Sequence, residues 1–498
     1  MPWAGAGALL TPVWPGSVAV DWAAVAPALV LVLGACGVLL GSTLRGVPQR
    51  LLGILSLGIL TLASIAAAAG WQAPRAAFGG LVVVDHFGIL ASVAAYLAAA
   101  LAALMSLDYL EREPGIPPEY YGLLLFSAAG MGMMATSKNL VGIFLGLEVL
   151  SIPLYVMAGL VRSRAEAVEA SMKYFLLGAF STGFLAYGMA FVYGGSGSFD
   201  LERVSLALGA AGGAPARWLL LGMGLLLVGL GFKIAAAPFH FWAPDVYEGA
   251  PVSVASLMAT GTKAAAFAAL VRVMFFGFGE GAIGEWRHAL TVLAVLTMTL
   301  GNLLAIGQSS LKRLLAYSSV AHAGYLLIGV VSFSTAGVES LLFYLFSYVL
   351  MTGGAFGVMA LMAGSDADGR ERGTDLDDYA GLARRRPVLA AALCLFMLSL
   401  AGIPPTGGFV AKFYLFKAAV DADLVGLAII GVLNSVLGAF YYLRVIVTLT
   451  MREPGPEAAP LPRPGPIAYA CVALAVAGTL LLGVYPAALT RLSAQPLF

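Results

Sequence analysis

Long apolar runs are the feature of this sequence that most constrains its fold. They are about 20 residues long and recur along the 498-residue chain, in which 60% of the residues are hydrophobic and 11% are charged. A run of that length matches an α-helix crossing about 30 Å of hydrocarbon, whereas the strands of a membrane barrel alternate in polarity over about 10 residues. Helices also satisfy their own backbone hydrogen bonds in lipid. We therefore predict an all-α polytopic membrane protein.

The runs predict about 14 transmembrane helices, numbered here as spans 1 to 14. They cover residues 19–41, 50–71, 86–108, 119–137, 140–161, 167–194, 216–240, 251–277, 288–307, 313–333, 336–363, 387–419, 424–450 and 466–488. The loops on one side carry roughly twice as many Arg and Lys residues as those on the other, and Lys312 and Arg313 are among them. The positive-inside rule places that side in the cytoplasm and both termini outside it.

Two of the predicted helices are broken. The apolar stretch 217–249, which includes span 7, is interrupted at Pro238 and Pro244, and span 12 contains a Gly- and Pro-rich stretch at 402–408. Proline removes a backbone hydrogen bond and clashes with the preceding turn. Lys233 precedes the first break and Lys412 follows the second, about five spans later. Because five is odd, two such units have inverted topology, which is typical of transporters with a site at the broken helices.

This layout divides the chain into four predicted parts. They are N-terminal helices 1–3 in residues 1–118, a first five-helix repeat in 119–277, an inverted second repeat in 288–450, and a linker with helix 14 in 451–498. The linker contains the Pro-rich stretch EPGPEAAPLPRPGP at 453–466, which we interpret as stiff. The longest polar stretch, 364–387, is interpreted as a cytoplasmic loop, so no separate soluble domain is expected.

Several ionisable side chains fall inside the predicted helices, where one charge costs about 2.5–3.5 kcal/mol on insertion scales. They are Glu148 in span 5, Lys173 in span 6, Lys233 in span 7, Lys263 in span 8, His322 in span 10 and Lys412 in span 12. Burial favours the neutral form of lysine and glutamate, and a nearby opposite charge favours the charged form. A buried lysine or glutamate that gains or loses an oppositely charged partner therefore changes its proton affinity. Lysine suits this role better than arginine, which stays charged, so the pattern predicts proton transport.

Structural roles remain open for some of these groups. Glu148 and a lysine could form a static ion pair between helices, and Lys173 lies near enough to a helix end to reach the interface. His322 could be a hydrogen-bonded interior histidine. Lys233, Lys263 and Lys412 lie deep among Gly, Ala and Thr, where a purely structural role is least favoured.

Other charged residues lie nearer the ends of the spans. For Arg272, near the end of span 8, a structural role is favoured, whereas Asp85 and His86, at the start of span 3, are interpreted as interfacial.

Other classes of site have no motif in this sequence. Net charge is only +1, which argues against nucleic-acid binding. The three cysteines, Cys36, Cys394 and Cys471, are far apart and form no CxxC pair. No GxGxxG opens a helix after a strand, no Walker lysine is present, and no His pair at metal or haem spacing occurs in the spans. We therefore expect neither a metal nor a cofactor in this chain.

Four motifs resemble those of one known family. They are GFKIAAAPFHFWAPDVYEGAPVS at 231–253, LGLEVLSIPLYV at 145–156, SLKRLLAYSSVAHAGY at 310–325 and SLAGIPPTGGFVAKFYLF at 399–416. Together they resemble the antiporter-like subunits of proton-translocating NADH–quinone oxidoreductase, respiratory complex I. The resemblance covers roughly residues 80–450 with the order of motifs preserved. Within the family, Lys263, Lys412, the 441–444 stretch and the short C-terminal end resemble the bacterial subunit N group.

The resemblance implies a fold with two inverted five-helix repeats, spans 4–8 and 9–13, and broken helices 7 and 12. It implies that Glu148 pairs with Lys233, that Lys263 is a bridging lysine and that Lys412 is the ionisable residue of span 12. Lys173 and His322 would be further members of a central polar axis.

The resemblance also implies partners. FMN, iron–sulfur clusters and quinone are expected in partner subunits. The expected partners are antiporter-like subunit M, small membrane subunits, a peripheral redox arm and the lipid bilayer of the bacterial cytoplasmic (inner) membrane. The function implied is proton pumping coupled to NADH oxidation and quinone reduction.

Three alternatives stay open from the sequence. A cation/proton antiporter subunit of the Mrp type would share these motifs without a redox partner. A structural membrane subunit would use the lysines only for pairing. A subunit of a membrane-bound hydrogenase is the third.

Overall fold

A computed structural model describes residues 21–72, 75–113, 115–210, 213–365, 371–453, 465–493 and residue 497. Its helices are α1 (Trp22–Thr43), α2 (Gln49–Ala68), α3 (His86–Arg112), α4 (Tyr120–Thr136), α5 (Leu140–Ala158), α6 (Ala165–Ser196), α7 (Leu201–Ala210), α8 (Ala214–Lys233), α9 (Trp242–Gly249), α10 (Val252–Arg272), α11 (Ile283–Ile306), α12 (Leu311–Val331), α13 (Thr335–Met362), α14 (Leu382–Arg385), α15 (Pro387–Ala401), α16 (Gly407–Asp421), α17 (Val425–Met451), α18 (Pro466–Val484) and α19 (Ala487–Ser493). The predicted all-α class is confirmed. Most of the Pro-rich linker, 454–464, lies outside the described residues.

Within the described residues, the strands form two short antiparallel hairpins. β1 (Arg75–Ala77) pairs with β2 (Val82–Val84), and β3 (Gly364–Ser365) pairs with β4 (Glu371–Arg372). The second hairpin lies in the polar stretch that the sequence predicts as a loop. The backbone just after this hairpin docks on the start of α12, where the Leu311 N–H donates to the Thr374 carbonyl at 2.8 Å.

Eleven of the described helices are long and apolar enough to cross a membrane, judged by length and composition. They are α1, α2, α3, α5, α6, α8, α10, α11, α12, α13 and α17. Two further apolar helices, α15 and the 469–484 part of α18, are shorter. The polytopic membrane class is therefore confirmed, whereas the count of 14 crossings and the inverted repeats stay predictions.

The first helix break lies between α8 and α9. The chain leaves helical geometry after Lys233 and passes through Ala235 at φ 57° before α9 begins at Trp242. Pro238 lies in this break, as predicted. The prediction for Pro244 is wrong, because it lies in the first turn of α9, where the missing N–H has no helical acceptor.

The second break separates α15 from α16 at the predicted Gly- and Pro-rich stretch. Gly402 ends α15 at φ 86°, a left-handed conformation that glycine adopts without steric cost. Its N–H donates to the carbonyls of Leu398 and Ser399, which closes the helix. α16 then begins at Gly407.

The centre of the molecule is formed by α3, α10, α12 and α13, which are buried along most of their length. The helices α1, α2, α6, α11 and α17 surround them and expose many large apolar side chains. A helix that is apolar on all sides is typical of a bundle interior. Two of the predicted functional residues, Lys263 and His322, lie on these central helices.

Candidate proton-carrying site

Lys233 is the last residue of α8, and only 3% of the residue is exposed. Its ammonium donates to the hydroxyl of Ser151 at 2.7 Å and to that of Tyr174 at 3.2 Å. It also lies 5.3 Å from the centroid of the Tyr174 ring. Neutral hydroxyls therefore hold this ammonium, and they accept its hydrogen bonds without adding a counter-charge.

Glu148 does not contact Lys233, although the resemblance implies that the two pair. Its carboxylate accepts a hydrogen bond from the Thr182 hydroxyl at 2.8 Å. Thr182 and Lys233 line one small cavity, together with Tyr155 and Ser181. The Glu148 carboxylate thus reaches a hydroxyl that lines the same cavity as Lys233, and it forms no salt bridge with the ammonium.

Lys263 caps the carboxyl end of α8. It is 1% exposed, and its Nζ donates to the carbonyl of Ile234 at 3.0 Å. Ile234 directly follows the last helical residue of α8 and is its C-cap. Because the carboxyl end of a helix carries partial negative charge, this place favours a cation.

Lys412 caps the carboxyl end of α15 in the same way. Its Nζ donates to the carbonyls of Leu400 and Ala401 at 2.9 and 3.0 Å, and to the Ser435 hydroxyl at 2.9 Å. It is 5% exposed and lies 5.0 Å from the centroid of the Tyr325 ring. At each helix break, a buried lysine therefore caps the carboxyl end of the helix that precedes the break. In this respect the counterpart of Lys412 is Lys263.

His322 lies between hydroxyl groups. Its Nδ1 is 2.6 Å from the Tyr344 hydroxyl and its Nε2 is 3.1 Å from that of Tyr442. A neutral imidazole donates at one nitrogen and accepts at the other, and a hydroxyl does both, so this chain can carry a proton in either direction. The ring of Tyr325, which faces Lys412, lies 5.7 Å from the imidazole ring.

Lys173 lies apart from these groups. Its side chain is 40% exposed and forms ion pairs with Glu169 at 2.6 Å and Asp245 at 2.7 Å. Asp245 also pairs with Arg313 at 2.9 Å. The structure therefore does not bring Lys173 into the central polar axis that the resemblance implies. Its exposure fits the alternative, in which the side chain reaches the interface.

The sequence prediction missed Lys312, which it assigned to a loop. The side chain of Lys312 is 1% exposed and pairs with Glu371 at 2.6 Å. Its Nζ also donates to the carbonyls of Glu248 and Ala250, at 2.9 and 2.8 Å, where α9 ends. Its position at the start of α12 gave no local sign of burial, because Glu371 belongs to the distant hairpin β3–β4.

Asp85 was interpreted as interfacial, and that prediction is wrong, whereas Arg272 has the structural role predicted for it. The Arg272 side chain is fully buried and forms two hydrogen bonds to the Asp85 carboxylate, at 2.9 and 2.7 Å. Its Nε donates to the Ala135 carbonyl at 2.7 Å. This pair joins α10 to the start of α3 and to the end of α4, so it holds the central helices together.

The buried groups supply lysines, an imidazole and hydroxyls, which can transfer protons but cannot carry electrons. Within the described part of the chain, no group of three or more His, Cys, Asp or Glu residues could hold a metal ion.

Comparisons with known proteins identify the family of this chain. Residues 137–438 match the family described as NADH:quinone oxidoreductase/Mrp antiporter, TM. NADH-quinone oxidoreductase subunit N of Trichlorobacter lovleyi is 47% identical over 433 residues, covering 87% of this chain and 88% of that protein.

Two solved structures give the fold. A chain of respiratory complex I from Thermus thermophilus with bound aureothin is 37% identical, with a TM-score of 0.79, and the match covers 93% of this chain and 98% of that one. The Mrp complex from Dietzia sp. contains a chain with a TM-score of 0.80 at 23% identity, covering 95% and 96%. The second likeness is one of fold alone.

Broken helices with buried lysines at their ends define this chain as an antiporter-like membrane protein. It belongs to the NADH:quinone oxidoreductase/Mrp antiporter family. Within that family it belongs with the subunit N group of bacterial NADH-quinone oxidoreductases.

Proposed function

We propose that this chain is the proton-translocating membrane subunit of an NADH–quinone oxidoreductase. It couples NADH oxidation and quinone reduction in the complex to proton pumping, as part of the enzyme and without a redox site of its own. The observation that carries the proposal is the set of three deep lysines, Lys233, Lys263 and Lys412, whose ammonium groups bind only hydroxyls and helix-end carbonyls. Such partners support an ammonium without a fixed counter-charge, so each lysine can lose and regain its proton.

The first half of the route lies around the end of α8. Lys233 is the last helical residue and Lys263 holds the next carbonyl, that of Ile234. Glu148 tunes the proton affinity of Lys233 through Thr182, whose hydroxyl binds the carboxylate and which lines one cavity with Lys233. Protons reach these lysines from the cytoplasmic side through wet paths near the break.

The second half of the route runs through His322 to Lys412. The hydrogen bonds of His322 to Tyr344 and Tyr442 give it a donor and an acceptor on opposite sides of the ring. Tyr325 lies between the imidazole and the Lys412 ammonium. Lys412 then releases the proton toward the opposite side of the membrane.

The remaining assignments follow from the subunit N group. FMN, iron–sulfur clusters and quinone belong to partner subunits, since the donor set described here transfers protons only. The neighbours are antiporter-like subunit M, small membrane subunits and the peripheral redox arm. The membrane is the bacterial cytoplasmic membrane, and both termini lie outside the cytoplasm. The chain divides into the four parts 1–118, 119–277, 288–450 and 451–498.

An Mrp-type cation/proton antiporter is the second candidate, and the solved Mrp chain supports it only through the fold. Purification from native membranes separates the two functions. Our proposal predicts co-purification with a flavin and iron–sulfur arm, whereas sodium/proton exchange without any redox partner would overturn it.

The lysine route is tested by replacing Lys233 with Ala in the assembled complex. We expect both quinone-linked NADH oxidation and proton pumping to fall. Lys138→Ala is the matched control, because Lys138 is also a partly buried lysine, but its Nζ pairs with Glu202 at 3.5 Å, away from the helix breaks. Unchanged activity of a fully assembled Lys233→Ala complex would refute the proposal.

A further inference from the structure

A buried asparagine on α11, Asn302, binds two tyrosines on neighbouring helices. The residue is 1% exposed. Its Nδ2 donates to the backbone carbonyl of Asn434 at 3.0 Å and to the Tyr325 hydroxyl at 3.2 Å, and its Oδ1 accepts from the Tyr441 hydroxyl at 3.0 Å. Because a carbonyl only accepts, the contact with Asn434 fixes which end of the amide carries the nitrogen. One side chain therefore holds a tyrosine of α12 and a tyrosine of α17.

Both tyrosines border the step between His322 and Lys412. The centroid of the Tyr325 ring lies 5.0 Å from the Lys412 ammonium and 5.7 Å from the centroid of the His322 ring. The ring of Tyr441 lies 4.3 Å from that of Tyr442, whose hydroxyl is 3.1 Å from Nε2 of His322. The amide thus supports aromatic rings next to both groups of the second half of the route.

The amide is also the only hydrogen-bond partner of the Tyr325 hydroxyl among the described residues. An aromatic face attracts an ammonium within about 6 Å of its centroid, so the contact between Tyr325 and Lys412 depends on how the ring is turned. Without Asn302, no hydrogen bond to a described residue would hold the ring in that orientation.

The packing of α17 leaves room for this amide. A Cβ at Gly438 would lie 3.1 Å from Oδ1 of Asn302 and 3.6 Å from the Tyr441 hydroxyl. A separate polar link between α11 and α17 already exists, because Nδ2 of Asn434 donates to the Thr299 hydroxyl at 3.3 Å. The bond from Asn302 to Tyr325 goes beyond such a link, since Tyr325 lies on α12.

We propose that Asn302 is a positioning residue, which holds the Tyr325 ring between His322 and the Lys412 ammonium. The inference deepens the proposed function and rests on it. Asn302 itself exchanges no proton, and it acts on the route only through the ring that it orients.

The test is a double-mutant cycle in the assembled complex. Asn302→Leu removes the amide, and Tyr325→Phe removes only the hydroxyl that the amide holds. Each substitution alone should lower proton pumping per assembled complex by roughly 2- to 10-fold, the factor for loss of one hydrogen bond. The double variant should lose no more than Asn302→Leu alone, because the amide and the hydroxyl act through one bond. Two independent structural defects would instead give losses that multiply.

Asn434→Leu is the matched control. Asn434 is also a buried asparagine, 4% exposed, and its side chain joins the same two helices through Thr299. The substitution keeps the backbone carbonyl that binds Asn302 at 3.0 Å and removes only a side-chain oxygen that lies 3.4 Å from that amide. Pumping per assembled complex should stay near wild type. A loss as large as that of Asn302→Leu would overturn the inference, since both asparagines would then only join helices.

If Asn302→Leu does not assemble, Tyr325→Phe decides, because it removes a single oxygen atom and keeps the ring. Wild-type pumping in Tyr325→Phe, or losses that multiply in the double variant, would overturn the inference. Should Lys233→Ala still lower pumping in that case, only the role of Asn302 is wrong. Wild-type pumping in Lys233→Ala as well would refute the proposed function itself.

Discussion

Replacing Lys412 with Arg separates proton transfer from helix capping. In the structure the Lys412 ammonium donates to two carbonyls, of Leu400 and Ala401, and to the Ser435 hydroxyl, all within 3.0 Å. A guanidinium has five N–H donors and can meet the same acceptors. If Lys412 only caps α15, the Arg variant should therefore assemble and pump almost normally.

If Lys412 transfers protons, the Arg variant should assemble but pump poorly. The reference pKa of arginine exceeds that of lysine by at least about 2 units, so release of the proton becomes at least about 100-fold less favourable. Pumping through this half of the chain should fall by about that factor while the amount of assembled complex stays near normal. The expected phenotype is a normal amount of an inactive complex.

The assay measures quinone-linked NADH oxidation and acidification of inverted membrane vesicles, normalised to the amount of complex. Lys417→Arg is the control on the same helix, because Lys417 is 60% exposed and pairs with Asp421 at 2.6 Å. A Lys412→Arg complex that pumps at the wild-type rate would refute the reasoning, since a group that keeps its proton would then suffice.

Three further substitutions have expected outcomes. Asp85→Asn leaves the buried Arg272 guanidinium without its carboxylate, which costs about 3–5 kcal/mol of stability. The yield of assembled complex should therefore drop, and a normal yield would contradict this. Gly402→Ala places a Cβ 2.9 Å from Lys412 Cδ at a φ of 86°, and the backbone conformation alone costs about 1–2 kcal/mol. The melting temperature of the complex should therefore fall, and an unchanged melting temperature would contradict this backbone strain. Lys173→Ala removes exposed ion pairs worth about 0–1 kcal/mol, so pumping should stay near wild type, and a severe loss would return Lys173 to the buried route.

The elements of this fold were predictable because their signals are local. Helices that cross lipid need long apolar runs, and both breaks contain residues that cannot continue a helix, Pro238 and Gly402. The deep positions of Lys233, Lys263 and Lys412 followed from their place within such runs, and the structure buries all three.

The contacts between elements were not predictable in the same way. The rotation of a helix that is apolar on all sides is not encoded in its own periodicity. Glu148 therefore turned out to bind Thr182 instead of Lys233, and the hydroxyls around His322 were not anticipated. The burial of Lys312 depends on Glu371, which is 59 residues away along the chain.

The most direct test of the lysine route is the number of protons pumped per NADH oxidised in proteoliposomes that contain the Lys263→Met complex. In the proposed route Lys263 joins the two halves, and methionine has a similar length but cannot carry a proton. The account predicts slower NADH oxidation and fewer protons pumped per NADH than in the wild type. A fully assembled Lys263→Met complex with the wild-type rate and the wild-type ratio would contradict it.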